Sequence, residues 1–207
     1  MVTRTPRRSQ AERREQTGSA LLRAAAELVV EGGVQALTLA RVGERAGYSR
    51  GIVTHHFGSK KALVDALARA SQAGFVPDAP DEPGLDRLLH LVDGYIGALG
   101  GTRTMSRAFL LLWAEATTSA DLAETFRERD ERFRADLRAD VAAGIAAGTV
   151  RADVDPHDVA VAVLGQLRGI GLQHQLDPAA VPTERLRRVV ADQWRRALVP
   201  SDPAAGG

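Results

Sequence analysis

Residues 38–60 contain a dense group of side chains that could bind a polyanion. Arg50 and Lys60 carry positive charge, and His55 and His56 stand between them. Arginine can contact a guanine edge or a phosphate, whereas lysine acts toward phosphate as a point charge. Backbone amides at the start of a helix offer a further site for phosphate. This segment therefore indicates contact with nucleic acid.

The same segment also matches a catalytic pattern. The run GYSRG (47–51) fits G-x-S-x-G, in which Ser49 would be the nucleophile of a hydrolase. That motif needs a buried strand immediately before the serine and a helix after it. The preceding LARVGERA carries its charges at helical spacing, which does not suit a central strand. A serine hydrolase is kept as an alternative, but we expect no catalytic residue and no enzyme.

The composition does not indicate a metalloprotein, a cofactor-dependent protein or a membrane protein. The chain has no cysteine, and its five histidines form no compact ligand pattern such as H-E-x-x-H. The first 20 residues lack the apolar run of a signal peptide, and no stretch has the ~20 apolar residues of a membrane span. We expect a cytoplasmic protein with no metal, no cofactor and no membrane contact.

Charge is distributed unevenly along the 207 residues. Residues 1–61 hold 11 basic and 5 acidic side chains, a net charge of +6, and the remainder carries a net charge of −5. A basic end on an acidic body suggests that one end meets a polyanion, although arginine-rich helices can also be merely solvated.

Capping and turn residues divide residues 9–75 into four helices. Thr38 and Ser49 suit the N-caps of two short helices, and Gly47 suits the turn between them. Ser59 can cap the fourth helix. A long helix followed by two short ones that meet at a glycine turn has the anatomy of a helix-turn-helix.

The proline-rich, acidic run FVPDAPDEPG (75–84) is the clearest linker. It divides the chain into a DNA-binding domain at 1–75, with 1–8 a mobile basic arm, and a larger helical domain at 76–199. Residues 200–207 read as a disordered tail. No period-2 strand pattern is present, so we predict an all-α fold of about nine helices: a three-helix-type helix-turn-helix domain and a larger helical domain.

A family resemblance is carried by the run from Leu21 to Leu67. Its elements AAAELVVEGGVQALTLARVGERAGYSRGIVTHHFGSKKALVDAL resemble the N-terminal domain of TetR-type bacterial repressors. The resemblance implies a dimer that docks its second short helix in the major groove of double-stranded operator DNA. It also implies that residues 76–199 form a divergent helical ligand-binding and dimerisation domain, whose last two helices form a dimeric four-helix bundle. The family usually has tyrosine where this chain has Thr54, and threonine is too short to copy its phosphate contact.

On this reading the DNA-contact candidates lie on and around the second short helix. They are Thr38, Tyr48, Ser49, Arg50, Gly51, Thr54, His55, His56 and Lys60.

Two further residue sets are expected in the larger domain. An unknown small-molecule inducer would bind between helices at a mainly apolar site, for which Tyr95, Phe109, Trp113 and His174 are candidates, although each could be core. The homodimer interface is expected at Val163, Leu167, Ile170, Val190, Trp194 and Leu198, with Trp194 either an anchor or a cover for the subunit core. The sequence thus predicts a ligand-responsive repressor that binds a pseudo-palindromic operator; the alternative is a dimeric regulator without an inducer.

Overall fold

The computed structural model describes residues 9–72, 80–101 and 104–200. Within these ranges the chain forms nine α-helices, one turn of 3₁₀ helix (Val34–Ala36) and no strand. The α-helices are α1 (Gln10–Gly32), α2 (Leu39–Ala46), α3 (Arg50–Phe57), α4 (Lys60–Gln72), α5 (Leu85–Leu99), α6 (Thr104–Glu115), α7 (Ala120–Ala146), α8 (Pro156–Leu176) and α9 (Thr183–Leu198). The all-α prediction is confirmed. The predicted arm and nearly all of the predicted tail lie outside the described residues.

The helix ends agree with the sequence prediction because capping residues act locally. Thr38 and Ser49 accept hydrogen bonds from backbone amides in the first turns of α2 and α3. Gly47 joins those helices with a φ of 76°, a left-handed conformation that glycine adopts without a steric penalty. Asp155 caps α8, and Pro156 occupies its first position, where no amide hydrogen is needed.

Helix α1 is the scaffold for the next three helices. Its apolar face packs with buried side chains of α2, α3 and α4 in a core that includes Leu21, Ala25, Leu28, Val29, Val42, Val53, Leu63 and Leu67. On the surface, Arg45 of α2 makes two hydrogen bonds to Glu31 of α1, at 2.8 and 2.7 Å, and one to Glu27 at 3.3 Å. The bond to Glu31 raises the pKa of Arg45, and the same bond lowers the pKa of Glu31. This exposed ion pair adds a surface contact between α1 and α2 to the buried core that packs them together.

Helix α6 connects the N-terminal helices to the rest of the molecule. It packs against α1 and α4 on one side and against α7 and α8 on the other. Thr125 of α7 also donates a hydrogen bond to Asp65 of α4. The buried apolar side chains form one cluster from α1 to α9. The division at residue 75 stays a prediction, and a core that crosses it makes the two parts mechanically continuous.

Among helices α5 to α9, α5 packs against α9 and α7 packs against α8. Arg187 of α9 holds Asp93 of α5 through two hydrogen bonds of 3.0 and 2.7 Å. In the part of the chain that the structure covers, no helix is long and apolar enough to cross a membrane.

A buried carboxylate connects the end of the linker to α7. Asp140 is fully buried, accepts a hydrogen bond from the Gly84 amide at 3.2 Å, and lies 3.4 Å from the guanidinium of Arg87. Its second oxygen, Oδ2, has no hydrogen-bond partner among the described residues. Burial raises the pKa of Asp140, against the opposing effects of the Gly84 amide and Arg87.

We expect Gly43→Ala to lower the free energy of unfolding by about 1–3 kcal/mol, as overpacking does. A Cβ at Gly43 would lie 2.7 Å from the Tyr48 carbonyl oxygen, which belongs to the backbone and cannot rotate away. Gly51→Ala is the matched control because the nearest atom to its Cβ would be Ser49 Oγ at 3.7 Å. This control should gain roughly 0.5–1 kcal/mol from helix propensity. Urea unfolding measures both; equal stabilities would show that the α2–α3 turn is not tightly packed.

Asp140→Asn should change how stability depends on pH. Because the folded-state pKa of Asp140 lies above the ordinary value of 3.8, the native state holds the proton more tightly than the unfolded chain. Wild-type stability contributed by this group therefore falls as pH rises from 3.8 through the raised pKa. Asparagine removes that fall, so the stability of the variant relative to wild type should increase across this interval and then level off. Chemical unfolding at a series of pH values tests this, with exposed Asp192→Asn as the control; a flat difference would contradict it.

Candidate nucleic-acid interface and helical-domain cluster

One face of α3 is turned to solvent. Arg50, Gly51, Thr54 and His55 are exposed and lie on the same side of the helix, whereas Val53 is buried on the opposite side. Thr54 donates its hydroxyl hydrogen to the Arg50 carbonyl at 3.0 Å, which leaves its oxygen able to accept but not its hydrogen to donate elsewhere. The outward set thus combines a cation, an imidazole and a glycine where a close backbone approach is possible.

Residues at the edges of α3 extend this face. Ser49 and Thr38 are exposed and cap their helices, and Tyr48 is half-buried in the turn. Lys60 is exposed at the start of α4, where its ammonium group donates to the Val34 carbonyl at 3.3 Å. An exposed ammonium group near a helix start suits a phosphate.

His56 lies off the outward face and is half-buried, and its place among the contact residues stays a prediction. Its ring lies against α1 at the buried Gly18, where a Cβ would stand 2.7 Å from Nε2. It also packs edge-on to Phe57, with ring centroids 4.7 Å apart. Burial, followed by the charge of Arg14 and then of His55, lowers the pKa of His56. The sequence signal for this contact is the glycine in the middle of α1, because a glycine there leaves space for another group to approach the helix closely.

The geometry around Ser49 does not suit a nucleophile elbow. The preceding residues form helix α2 rather than a strand, and the serine oxygen caps α3 by accepting from the Ile52 amide at 3.4 Å. The G-x-S-x-G match is therefore explained as a helix-turn-helix turn.

In the larger domain, three of the four inducer candidates meet around a buried cation. Arg168 of α8 places its guanidinium carbon 5.6 Å from the ring centroid of Tyr95, 4.7 Å from that of Phe109 and 5.9 Å from that of Trp113. The side chain of Arg168 is only 4% exposed. We call these three rings, from α5 and α6, the aromatic cage.

Hydrogen bonds hold the cation within the aromatic cage. Arg168 donates to the Tyr95 hydroxyl at 2.8 Å and to Asp130 Oδ1 of α7 at 3.1 Å. Trp113 donates its indole hydrogen to the other oxygen of Asp130 at 2.7 Å. Burial raises the pKa of Tyr95, against the opposing effect of Arg168. Sequence reasoning missed Arg168 and Asp130; the available signal was one arginine inside an otherwise apolar stretch of α8.

His174 lies apart from the aromatic cage. Its Nδ1 is 3.2 Å from the Val181 carbonyl oxygen, and it lines a cleft of about 210 Å³ between α6 and the end of α8. Ser106, Arg107 and Gln175 give this cleft its polar groups. The four inducer candidates therefore divide between a filled cage and a small open cleft.

Most of the expected interface residues face inward. Five of the six are buried within the subunit, so they cannot contribute contact area to a second copy: Val163, Leu167, Ile170, Val190 and Leu198. This part of the prediction is corrected, because amphipathic spacing identifies the buried face of a helix but not its partner. The sixth, Trp194, is half-buried and donates to Gln166 of α8 at 2.7 Å.

The outer faces of α8 and α9 nevertheless expose apolar side chains. Val161 is 47% exposed, Val189 50% and Leu176 88%. Gly165 lies on α8 between Val161 and Leu176, and a Cβ there would meet no atom within 4 Å.

Comparison with known proteins adds the following matches. The sequence pattern described as "BetI-type transcriptional repressor, C-terminal" matches residues 84–199, and that described as "Bacterial regulatory proteins, tetR family" matches residues 21–67. The chain is 34% identical over 132 residues to the HTH-type transcriptional regulator BetI of Stenotrophomonas maltophilia, which covers 60% of this chain and 65% of that protein. It is 24% identical over 193 residues to BetI 1 of Chromohalobacter salexigens, covering 87% and 90% of the two chains.

Solved structures share the fold. A transcriptional regulator from Saccharomonospora viridis, determined in complex with choline, superposes with a TM-score of 0.73 at 20% identity, covering 93% of this chain and 100% of that one. The matched families consist of DNA-binding regulators rather than enzymes. Because the first pattern alone spans more than half of the chain, the chain belongs to the TetR family of bacterial transcriptional regulators, with a C-terminal domain of the BetI type.

Proposed function

We propose that the protein is a dimeric repressor that binds pseudo-palindromic operator DNA through α3 and releases it in response to a small molecule. The observation that carries the proposal is the outward face of α3, where Arg50, Gly51, Thr54 and His55 are exposed on a helix that α1 and α2 hold in place. A helix presented in this way can enter the major groove, with Arg50 near its start.

The distribution of positive charge also supports a DNA complex in which α3 faces the DNA. Lys60 lies at the start of α4, and the basic excess of the first 61 residues would meet the phosphate backbone. Ser49, Thr38 and the half-buried Tyr48 would contact phosphate or sugar at the edges of the groove. Occupation of a promoter by the two heads of a dimer would then block transcription.

The proposed domains have different tasks. Residues 1–75 bind DNA, and residues 76–199 hold the dimer and the effector. Helix α6 is the physical connection, because it lines the cleft beside His174 and also packs against α1 and α4. An effector that binds better to one position of α6 would favour one spacing of the two heads.

The cleft beside His174 limits the size of that effector. Its volume of about 210 Å³ is below the roughly 300–1,000 Å³ of common ligand pockets. Arg107, Ser106 and Gln175 would supply its polar contacts. A regulator without an inducer is the second candidate, and the filled aromatic cage favours it because that volume is already occupied. A screen of small compounds for release of operator DNA, with choline as one reference, separates the two.

The proposed dimer uses the outer faces of α8 and α9. Two copies that pair these faces about a two-fold axis form a four-helix bundle, which closes the assembly at two subunits. Exposed Val161 and Val189 would be buried, and Gly165 would let a neighbouring helix approach closely.

DNA selected from a random pool should contain an inverted repeat, and two substitutions should affect its binding differently. If Arg50 contacts a base edge, Arg50→Ala should weaken binding by roughly 1–3 kcal/mol and relax preference at one position of each half-site. Lys60→Ala should weaken all sequences alike and reduce the salt slope by about 1. Exposed Arg127→Ala on α7 is the control and should change neither property. Selected DNA without an inverted repeat, or an unchanged sequence preference in Arg50→Ala, would contradict these roles.

Charge on the proposed interface should separate the subunits. The double variant Val161→Glu, Val189→Glu places two carboxylates per subunit in the contact while leaving the subunit core intact, so sedimentation should show a monomer with unchanged helical circular dichroism. Operator affinity should also fall, because one head contacts one half-site. The control is Ala135→Glu on the exposed face of α7, which should remain dimeric. A double variant that stays dimeric would place the interface elsewhere.

A further inference from the structure

The aromatic cage has the chemistry of a cation-binding site, yet a residue of the chain fills it. We infer that Arg168 is a built-in cation that excludes quaternary ammonium ligands from the helical domain, and that its removal opens a site for small organic cations. The inference narrows the class of effector that the proposed function allows, and its importance for regulation rests on that proposed function. Cation binding itself can be measured without DNA.

The geometry of the rings meets the requirements for holding a cation. All three ring centroids lie within 6 Å of the guanidinium carbon, and Phe109 is nearest at 4.7 Å. This is the range in which the face of an aromatic ring attracts a positive charge. Rings that surround one point are the usual means of recognising quaternary ammonium groups.

A carboxylate completes the cage. Asp130 lies 3.1 Å from Arg168, and its second oxygen accepts the indole hydrogen of Trp113 at 2.7 Å. That hydrogen bond keeps Trp113 beside the carboxylate, so ring and anion are set in place together. A negative charge next to aromatic rings offers a cationic ligand both types of attraction.

The same contacts explain why a free cation is excluded while Arg168 is present. An entering cation would have to displace a guanidinium that has two hydrogen-bond partners and almost no exposure to water. Displacement would strand a buried charge, which is strongly unfavourable. Arg129 adds to the exclusion because its guanidinium carbon lies 6.0 Å from the Phe109 centroid, so two arginines already approach one ring.

A purely structural ion pair would make a different prediction. If Arg168 only joined α8 to α7, removing it would weaken the fold without creating affinity for a cation. If it occupies a cation site, the vacated space should bind an added cation of similar size and charge. Ethylguanidinium reproduces the lost group, and choline supplies a quaternary ammonium of comparable size.

The experiment compares full-length wild type, Arg168→Ala and Arg187→Ala by titration calorimetry and thermal shift. Arg187→Ala is the control because it also removes an arginine that is hydrogen-bonded to an aspartate of the same domain, in this case Asp93 through two bonds, at a site away from the aromatic cage. Choline chloride and ethylguanidinium chloride are the probes, and sodium chloride balances the ionic strength. We expect Arg168→Ala to bind both cations at least about tenfold more tightly than wild type or Arg187→Ala.

A second substitution locates the binding. Adding Asp130→Asn to Arg168→Ala should abolish the gained affinity, because the carboxylate is lost. If Arg168→Ala does not fold, the comparison uses Arg168→Gln, which keeps a donor toward Asp130 but no charge. Wild-type protein that binds choline and loses that binding on Trp113→Ala would overturn the inference. So would a folded Arg168 variant that binds neither cation.

The outcomes also separate this inference from the proposed function. If the Arg168 variant gains affinity for the cations, the inference about the filled cage is supported even when no compound releases operator DNA. Failure of every compound to release operator DNA would instead contradict the proposed response to a small molecule. Conversely, if neither cation binds the folded Arg168 variant, the cage inference is wrong even when screening finds a compound that releases operator DNA.

Discussion

A buried positive charge must be neutralised, and this requirement organises the larger domain. Arg168 comes from α8, its carboxylate partner Asp130 from α7, and the rings around it from α5 and α6. Four helices therefore have to meet at one point for a single guanidinium to be satisfied. Removing one partner from a buried pair costs about 3–5 kcal/mol, which is comparable with much of a domain's net stability. The pair thus makes alternative packings of these helices unfavourable.

Helix α6 carries the consequences of that arrangement to the other end of the molecule. Phe109 and Trp113 place it against the caged cation, and its contacts with the N-terminal helices lie on α1 and α4. Because protein interiors are close-packed, a displaced α6 would move its neighbours rather than deform them. The position of α3 in turn depends on α2, against which it packs, and on the core that both helices share with α1. A displacement of α6 would therefore be passed to α1 and α4, and through them to the proposed DNA-binding face on α3.

Local features of this fold were predictable from sequence, and long-range ones were only partly so. Caps such as Thr38 and Asp155 act within one helical turn, so their residue types and spacing suffice. The burial of Val163 and Leu167 followed from spacing, but their partner did not, because a stripe of apolar residues is the same for a subunit core and an interface. Tyr95, Phe109, Trp113 and His174 were grouped from sequence as an inducer site, and that role stays a prediction; the structure brings only the first three together. Their meeting around Arg168 depends on three helix crossings that no local pattern encodes.

The contact between Gly18 and His56 ties two positions that are far apart in the chain. Glycine inside a helix is roughly 1 kcal/mol less favourable than alanine, so α1 gives up stability to leave space for the imidazole. A side chain gained at position 18 requires a smaller one at position 56, and a shorter residue at 56 leaves a void beside the glycine. Substitutions at these positions are therefore tolerated in pairs rather than singly. Related chains should therefore show correlated variation at positions 18 and 56.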